Sequence, residues 1–231
     1  MKTIGLLGGM SWESTAQYYR LLNQGIRARL GGLHSAKIAM VSVDFKPLEQ
    51  LMQQGEWLII GEQLADSARR IEAAGADFLL ICTNTMHKVA AAIADAVNIP
   101  LVHIADATAD KIKEENIRTV GLLGTSFTME EEFYRGRLSQ KHGLTVIAPS
   151  MDDRRIVNTV IFDELCRGIV KEGSRRDYQR IIETMRSQGA EAVVEGCTEI
   201  GMLINRSHTA MPLFDTTALH VEQAIHLALA K

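Results

Sequence analysis

The chain has 231 residues, 46% hydrophobic and 23% charged, with a formal net charge of −3. That length holds one large α/β domain or two of ordinary size, with enough apolar side chains for a substantial core. A slightly acidic chain whose Arg154-Arg155 and Arg175-Arg176 pairs stand isolated lacks a nucleic-acid footprint, and no apolar run is long enough to span a membrane.

Thr3 to Leu7 is a short apolar run that ends at Gly8-Gly9 and meets Trp12-Glu13 rather than a small-residue cleavage site. It reads as a first core strand with a glycine turn, not as a signal peptide. Ser11 and Ser14 are candidate caps for a helix through Tyr18, Leu22 and Ile26. Lys37 to Val43 reads as a second strand, and Asp44 to Gly55 as a loop with a short helix. From Ile60 to Ala73 the pattern is amphipathic, with Leu64, Ala68 and Ile71 on one face and Asp66, Arg69 and Arg70 on the other. Phe78 to Cys82 is continuously apolar, as in a parallel strand covered on both faces. Thr83-Asn84-Thr85 follows, then a predicted helix from Met86 to Val97 and a strand from Ile99 to Ile104.

The second half repeats the first. Val120-Gly121-Leu122-Leu123-Gly124 echoes Ile4-Gly5-Leu6-Leu7-Gly8 at an offset of 116, and Gln188 to Glu191 echoes Ala74 to Asp77 at 114. Met211-Pro212-Leu213 echoes Ile99-Pro100-Leu101. Three echoes in one order predict two pseudo-symmetric, Rossmann-like α/β domains with parallel sheets. Their expected extents are 1–114 plus 208–231 and 115–207, with a ligand in the cleft between them.

The chemistry is expected at Glu195-Gly196-Cys197-Thr198-Glu199-Ile200, where a thiol follows an apolar strand and precedes a helical pattern. Peptide N–H groups there are expected to lower the pKa of Cys197. The competing reading is inert packing, since free cysteine is among the most buried residue types. The three cysteines, Cys82, Cys166 and Cys197, form no C-x-x-C pair and point to a reduced, cytoplasmic protein. The histidines show no ligand spacing, so no metal is expected.

The opening GLLGGMSWEST, Val43-Asp44-Phe45, the TNTMHK elbow at Thr83 to Lys88, Arg167 to Gly173, and EGCTEI at Glu195 to Ile200 together carry a resemblance. The chain resembles the aspartate/glutamate racemase family, in particular its broad-specificity amino-acid racemase branch. The resemblance implies a homodimer that interconverts L- and D-amino acids without pyridoxal phosphate or any other cofactor. One acid/base group from each elbow would flank the substrate Cα. Such enzymes usually carry Cys-Asn-Thr at the first elbow, whereas here Thr83 takes that place and the cysteine stands one residue earlier, at Cys82. Thr83 and Cys197 are therefore the candidate catalytic pair, with Cys82 as the alternative to Thr83.

Candidate substrate contacts are Met10 after the glycine turn, Gln53, Asn84 and Thr85 at the first elbow, and Thr198 and Glu199 at the second. Glu164 stands near a position where some aspartate-acting members carry a basic residue, which leaves the substrate open between aspartate/glutamate and a broader set. Asn84 and Thr85 are also natural helix caps, and Glu199 is a candidate relay to Cys197. His87 either activates Thr83 or is an ordinary helical histidine. Two other functions fit a chain with one secure thiol: a decarboxylase or isomerase of a small dicarboxylate, and a non-catalytic carboxylate-binding protein.

Overall fold

The computed structural model describes residues 1–230. The chain forms two compact units, one made of residues 1–104 and the chain from His220 onward, the other of Ala105–Leu219. In the first, β1 (Ile4–Gly8), α1 (Trp12–Leu30), β2 (Ile38–Ser42), α2 (Phe45–Gln54), α3 (Trp57–Ala73) and β3 (Phe78–Ile81) are followed by a 3₁₀ turn, Thr85–Val89. Then come α4 (Ala90–Asp95) and β4 (Leu101–Val102). The second runs through α5 (Ile104–Glu114), β5 (Thr119–Gly124), α6 (Ser126–Glu130), β6 (Thr145–Ile147), α7 (Met151–Asp163) and α8 (Glu172–Ser187). It ends with β7 (Ala192–Gly196), α9 (Ile200–Leu203), β8 (Leu213–Asp215) and the start of α10 (Thr216–Leu229).

Each unit has a four-stranded parallel sheet, ordered β2-β1-β3-β4 and β6-β5-β7-β8. The internal repeat is kept in the strand registers. Ile4 pairs with Phe78 as Val120 pairs with Ala192, and Leu79 pairs with Leu101 as Val193 pairs with Leu213. Even the strand entries match. Asp77 N–H donates to the Thr3 carbonyl at 2.8 Å, and Glu191 N–H to the Thr119 carbonyl at 2.9 Å. The carboxylates of the same two residues accept from Thr3 N–H at 2.5 Å and Thr119 N–H at 2.7 Å.

Helix spacing sets the cores. In α1, Ser11 caps the N-terminus by accepting from Ser14 N–H at 3.2 Å, and Tyr18, Leu22 and Ile26 present one buried stripe. That stripe meets Ile4, Leu6, Phe78 and Leu80 of the sheet and Ala224 and Ile225 of α10. In the second unit Tyr178, Ile181, Ile182 and Met185 of α8 pack with Val157, Ile161 and Val193. Gly9 turns the chain after β1 with φ +93°, and a Cβ there would lie 2.2 Å from the Val43 carbonyl oxygen.

Three expectations need correction. The divisions expected at 114/115 and 207/208 fall at 104/105 and 219/220. Helix α5 belongs to the second unit because its Asp106 carboxylate is gripped by Arg137 and Lys141, at 2.7 and 2.8 Å. Residues 208–219 belong there because β8 completes the second sheet beside β7. The strand expected over Ile99–Ile104 is reduced to Leu101–Val102, since the chain already turns into α5 at Ile104. The helix expected from Met86 to Val97 starts as the 3₁₀ turn and is α-helical only over Ala90–Asp95.

Candidate active site

The second elbow is a sheet end closed tightly by backbone. All five residues of β7 are buried, and a Cβ on Gly196 would lie 2.8 Å from the Leu123 carbonyl of β5. Only glycine lets the chain leave the strand so close to its neighbour. Cys197 follows, buried at 8% exposure, and its Sγ donates to Glu199 Oε2 at 2.9 Å. Thr198 Oγ1 donates to the same oxygen at 2.5 Å. Thiol and hydroxyl therefore converge on one carboxylate oxygen, on three successive residues.

The expected lowering of the Cys197 pKa is reversed. Burial, followed by the adjacent Glu199 carboxylate, pushes the thiol well above its ordinary value. Helix α9 has only four residues, Ile200–Leu203, so few aligned peptides face the sulfur. A nearby negative charge and desolvation both favour the protonated form. Cys197 is a thiol at neutral pH, with a carboxylate placed to accept its proton.

At the first elbow, Thr83 is partly exposed and stands two residues past Ile81, as Cys197 stands two past Glu195, the residue in the matching register. Its hydroxyl makes no hydrogen bond to a described residue, whereas its carbonyl accepts from His87 Nδ1 at 2.8 Å. His87 Nε2 in turn accepts from Ile104 N–H at 3.2 Å, which fixes the neutral tautomer. Burial, then His103 and His220, hold the His87 pKa well below the usual imidazole value. His87 therefore braces the elbow backbone and does not reach the Thr83 hydroxyl. Cys82 is fully buried among Ile4, Leu6, Tyr18 and Leu22, and burial pushes its thiol pKa far up.

The other candidates divide. Asn84 and Thr85 are buried at the first elbow, but Asn84 does not cap the following turn. Its backbone is already helical, at φ −72° and ψ −48°, where a capping residue is extended. Met10 is buried at 4% exposure beside the Gly9 turn. Gln53 is exposed and donates to Glu49 on its own helix. Glu164 is held by Lys171 at 3.1 Å and Ser174 Oγ at 2.7 Å. Cys166 is half-buried against the second core. Among the described residues no group of three or more His, Cys, Asp or Glu side chains is placed to hold a metal ion. No helix among them is long and apolar enough to cross a membrane.

Glu195, to which the sequence alone assigns no role of its own, is a buried carboxyl at 5% exposure. Burial, then Asp215, push it up to about 8. The signal was a glutamate in a strand otherwise made of Ala, Val and Gly.

Two parallel sheets in one repeated order, each ending in a polar elbow, are the architecture of a family of racemases. The family model for Asp/Glu/hydantoin racemases matches residues 7–224, and the chain belongs to that family. Among solved structures it is similar to a Yersinia pestis protein assigned as an Asp/Glu racemase, 52% identical, covering 100% of both chains with a TM-score of 0.94. It is also similar to an aspartate racemase homologue from Pyrococcus horikoshii OT3, 34% identical over 100% of both chains, TM-score 0.87. The broad-specificity amino-acid racemase RacX of Bacillus subtilis is 23% identical over 170 residues, 72% of this chain and 71% of RacX.

Proposed function

We propose that this chain interconverts the L- and D-forms of amino acids by proton transfer at Cα, without pyridoxal phosphate, using Cys197 and Thr83. The observation that carries the reading is the hydrogen bond from Cys197 Sγ to Glu199 Oε2, 2.9 Å long. Glu199 takes the thiol proton, and the thiolate so formed removes the α-proton from one face of the substrate. The Thr83 hydroxyl gives its proton to the carbanion on the other face; before the next turnover the alkoxide takes a proton from water and the protonated Glu199 returns one to water, which restores both groups. Reversal uses the same groups, Thr83 as base and Cys197 as acid.

The pair is chemically unequal. A threonine hydroxyl is a far weaker acid than a thiol, so the proton transfer at Thr83 is the slow one. Asn84, Thr85 and Thr198 are the polar groups for the substrate's carboxylate and ammonium, with Met10 as apolar lining. Gln53 and Glu164, held by neighbours of their own, are weaker candidates for substrate contact. Glu164, with its negative charge, disfavours a second carboxylate on the substrate, so the reading extends to neutral amino acids as well as aspartate and glutamate.

The test is deuterium incorporation at Cα in heavy water across a panel of L- and D-amino acids. The expected result is exchange with appearance of the opposite enantiomer, abolished in Cys197→Ala. Release of carbon dioxide without α-exchange would point to decarboxylation instead. Ligand binding unaffected by Cys197→Ala, with no exchange in the wild type, would leave only a binding protein.

A further inference from the structure

A cavity of about 370 Å³ opens in the second unit beside its edge strand β8, and Cys197, Thr198 and Glu199 do not line it. Its buried side is formed by Glu195 of β7 and Asp215 of β8, register partners on adjacent parallel strands. Lys111, Glu115 and Arg206 complete its charged lining. Glu195 Oε1 is shut off from solvent and makes no hydrogen bond to a described residue. Asp215 commits Oδ1 to α10, accepting from Thr217 N–H at 2.8 Å and Ala218 N–H at 3.0 Å. Its Oδ2 is directed toward Gly201, 4.0 Å from where a Cβ on that residue would stand. A buried carboxyl without a donor is costly, and a second acidic group beside it adds to the cost.

The internal repeat shows that the fold does not need this pair. Leu7 pairs with Ile81 in the first sheet as Leu123 pairs with Glu195 in the second. The same architecture is thus built with isoleucine where the second unit places a buried glutamate. A polar group that the scaffold does without, that has no donor of its own and that lines a cavity, marks a ligand site.

We propose that this cavity is a second ligand site, taking the primary ammonium group of a small amine or amino acid between Glu195 and Asp215. An ammonium supplies three N–H donors and one positive charge to Glu195, which has no donor, and to the Asp215 oxygen that α10 leaves uncommitted. A divalent metal ion fits less well. Calcium and magnesium require about six or more oxygen ligands, and no group of three metal-binding side chains converges among the described residues. Lys111 and Glu115 largely offset each other, at 3.7 Å. Arg206 makes no ion pair with a described residue and is exposed, so it is placed to receive the carboxylate of an amino acid. The volume suits a molecule of amino-acid size.

Calorimetric titration of the intact protein with ethylammonium chloride, β-alanine and magnesium chloride tests this. None of the three has a stereocentre to invert, so the outcome is independent of the racemase reading. Both amines are expected to bind, and Glu195→Gln to weaken them at least tenfold. Arg206→Ala should weaken β-alanine alone if amino acids are the natural occupants, and neither probe if simple amines are. Glu195→Ile, which copies Ile81, is expected to raise the unliganded melting temperature while abolishing the rise caused by the amines. Absence of amine binding to the wild type, retention of full affinity in either Glu195 variant, or preference for magnesium would overturn the proposal.

Discussion

The Cys197 thiol and the Glu199 carboxylate are joined by a 2.9 Å hydrogen bond inside a buried elbow. Burial and the neighbouring carboxylate both raise the thiol pKa, so in the proposed reaction the thiolate forms only as Glu199 takes the proton. Glu199→Gln keeps the shape and the hydrogen bond but removes the proton acceptor. The expected loss in α-proton exchange is about 10²-fold or more, the usual range for a general base. Exchange rates in heavy water, followed by proton NMR against pH, will show the loss together with a profile moved toward lower pH, because the carboxylate that helps raise the thiol pKa is gone.

Replacing Thr83 by cysteine is expected to raise the rate, because a thiol exchanges protons near neutral pH more readily than a hydroxyl. The ratio of initial rates from L- and D-substrate should move in Thr83→Cys, while the final enantiomer ratio stays at unity. Polarimetry from both directions reads both quantities. Cys82→Ala is expected to retain most activity, because that sulfur lies in the core with Tyr18 and Leu22. A loss as large as that of Cys197→Ala would reassign the second acid/base to Cys82.

Two buried histidines predict acid sensitivity. Burial lowers the His220 pKa to about 4, and His87 is also held well below its usual value. The folded state keeps both neutral while the unfolded chain binds protons below about 6.5. Stability is therefore fully present above pH 6.5 and is lost as pH falls from there toward 4, by ~1.4 kcal/mol per pH unit for each histidine. Urea unfolding between pH 4 and 8 measures this slope, and His220→Gln should reduce it by about half.

The Tyr18 hydroxyl donates to His220 Nδ1 at 2.8 Å, and His220 Nε2 donates to the Val102 carbonyl at 2.9 Å, in the core of the first unit. Tyr18→Phe leaves a buried imidazole nitrogen without its donor. The expected cost is about 1–3 kcal/mol, read from chemical denaturation at pH 7.5, where His220 is neutral.

Asp106 shows the opposite pH behaviour. Burial works to raise its pKa, but hydrogen bonds from Arg137, Lys141 and His142 outweigh it and hold the carboxyl below the usual carboxylate range. Its stabilising effect is present above about pH 4 and is lost as pH falls below that. Asp106→Asn should lower the melting temperature at pH 7, with a difference from wild type that shrinks in strong acid.

Some of the molecule was legible in the chain because the physics is local. The stripe Tyr18, Leu22, Ile26, the unbroken apolar run at Phe78 and the glycine turn after Leu7 each follow from periodicity or backbone freedom. The repeat was legible as well, since equal registers demand equal spacing of small and apolar residues. The ends of the units were not. Asp106 joins Arg137 thirty-one positions away, and β8 joins a strand twenty residues before it; no local pattern announces either choice.

Cys197, Thr83 and Glu199 could be nominated by residue type and position alone, because thiols, hydroxyls and carboxylates at strand ends are few. Their protonation could not. Whether a thiol is lowered by a helix or raised by burial depends on solvent access and on the charge that folding places beside it. The same holds for Glu195, whose neighbour Asp215 arrives from another strand. Amino-acid order determined the repeated sheets and the residues at their ends, through backbone preference and hydrophobic period. Only the tertiary structure decided their charge states, because desolvation is set by atoms that come together in space and not along the chain.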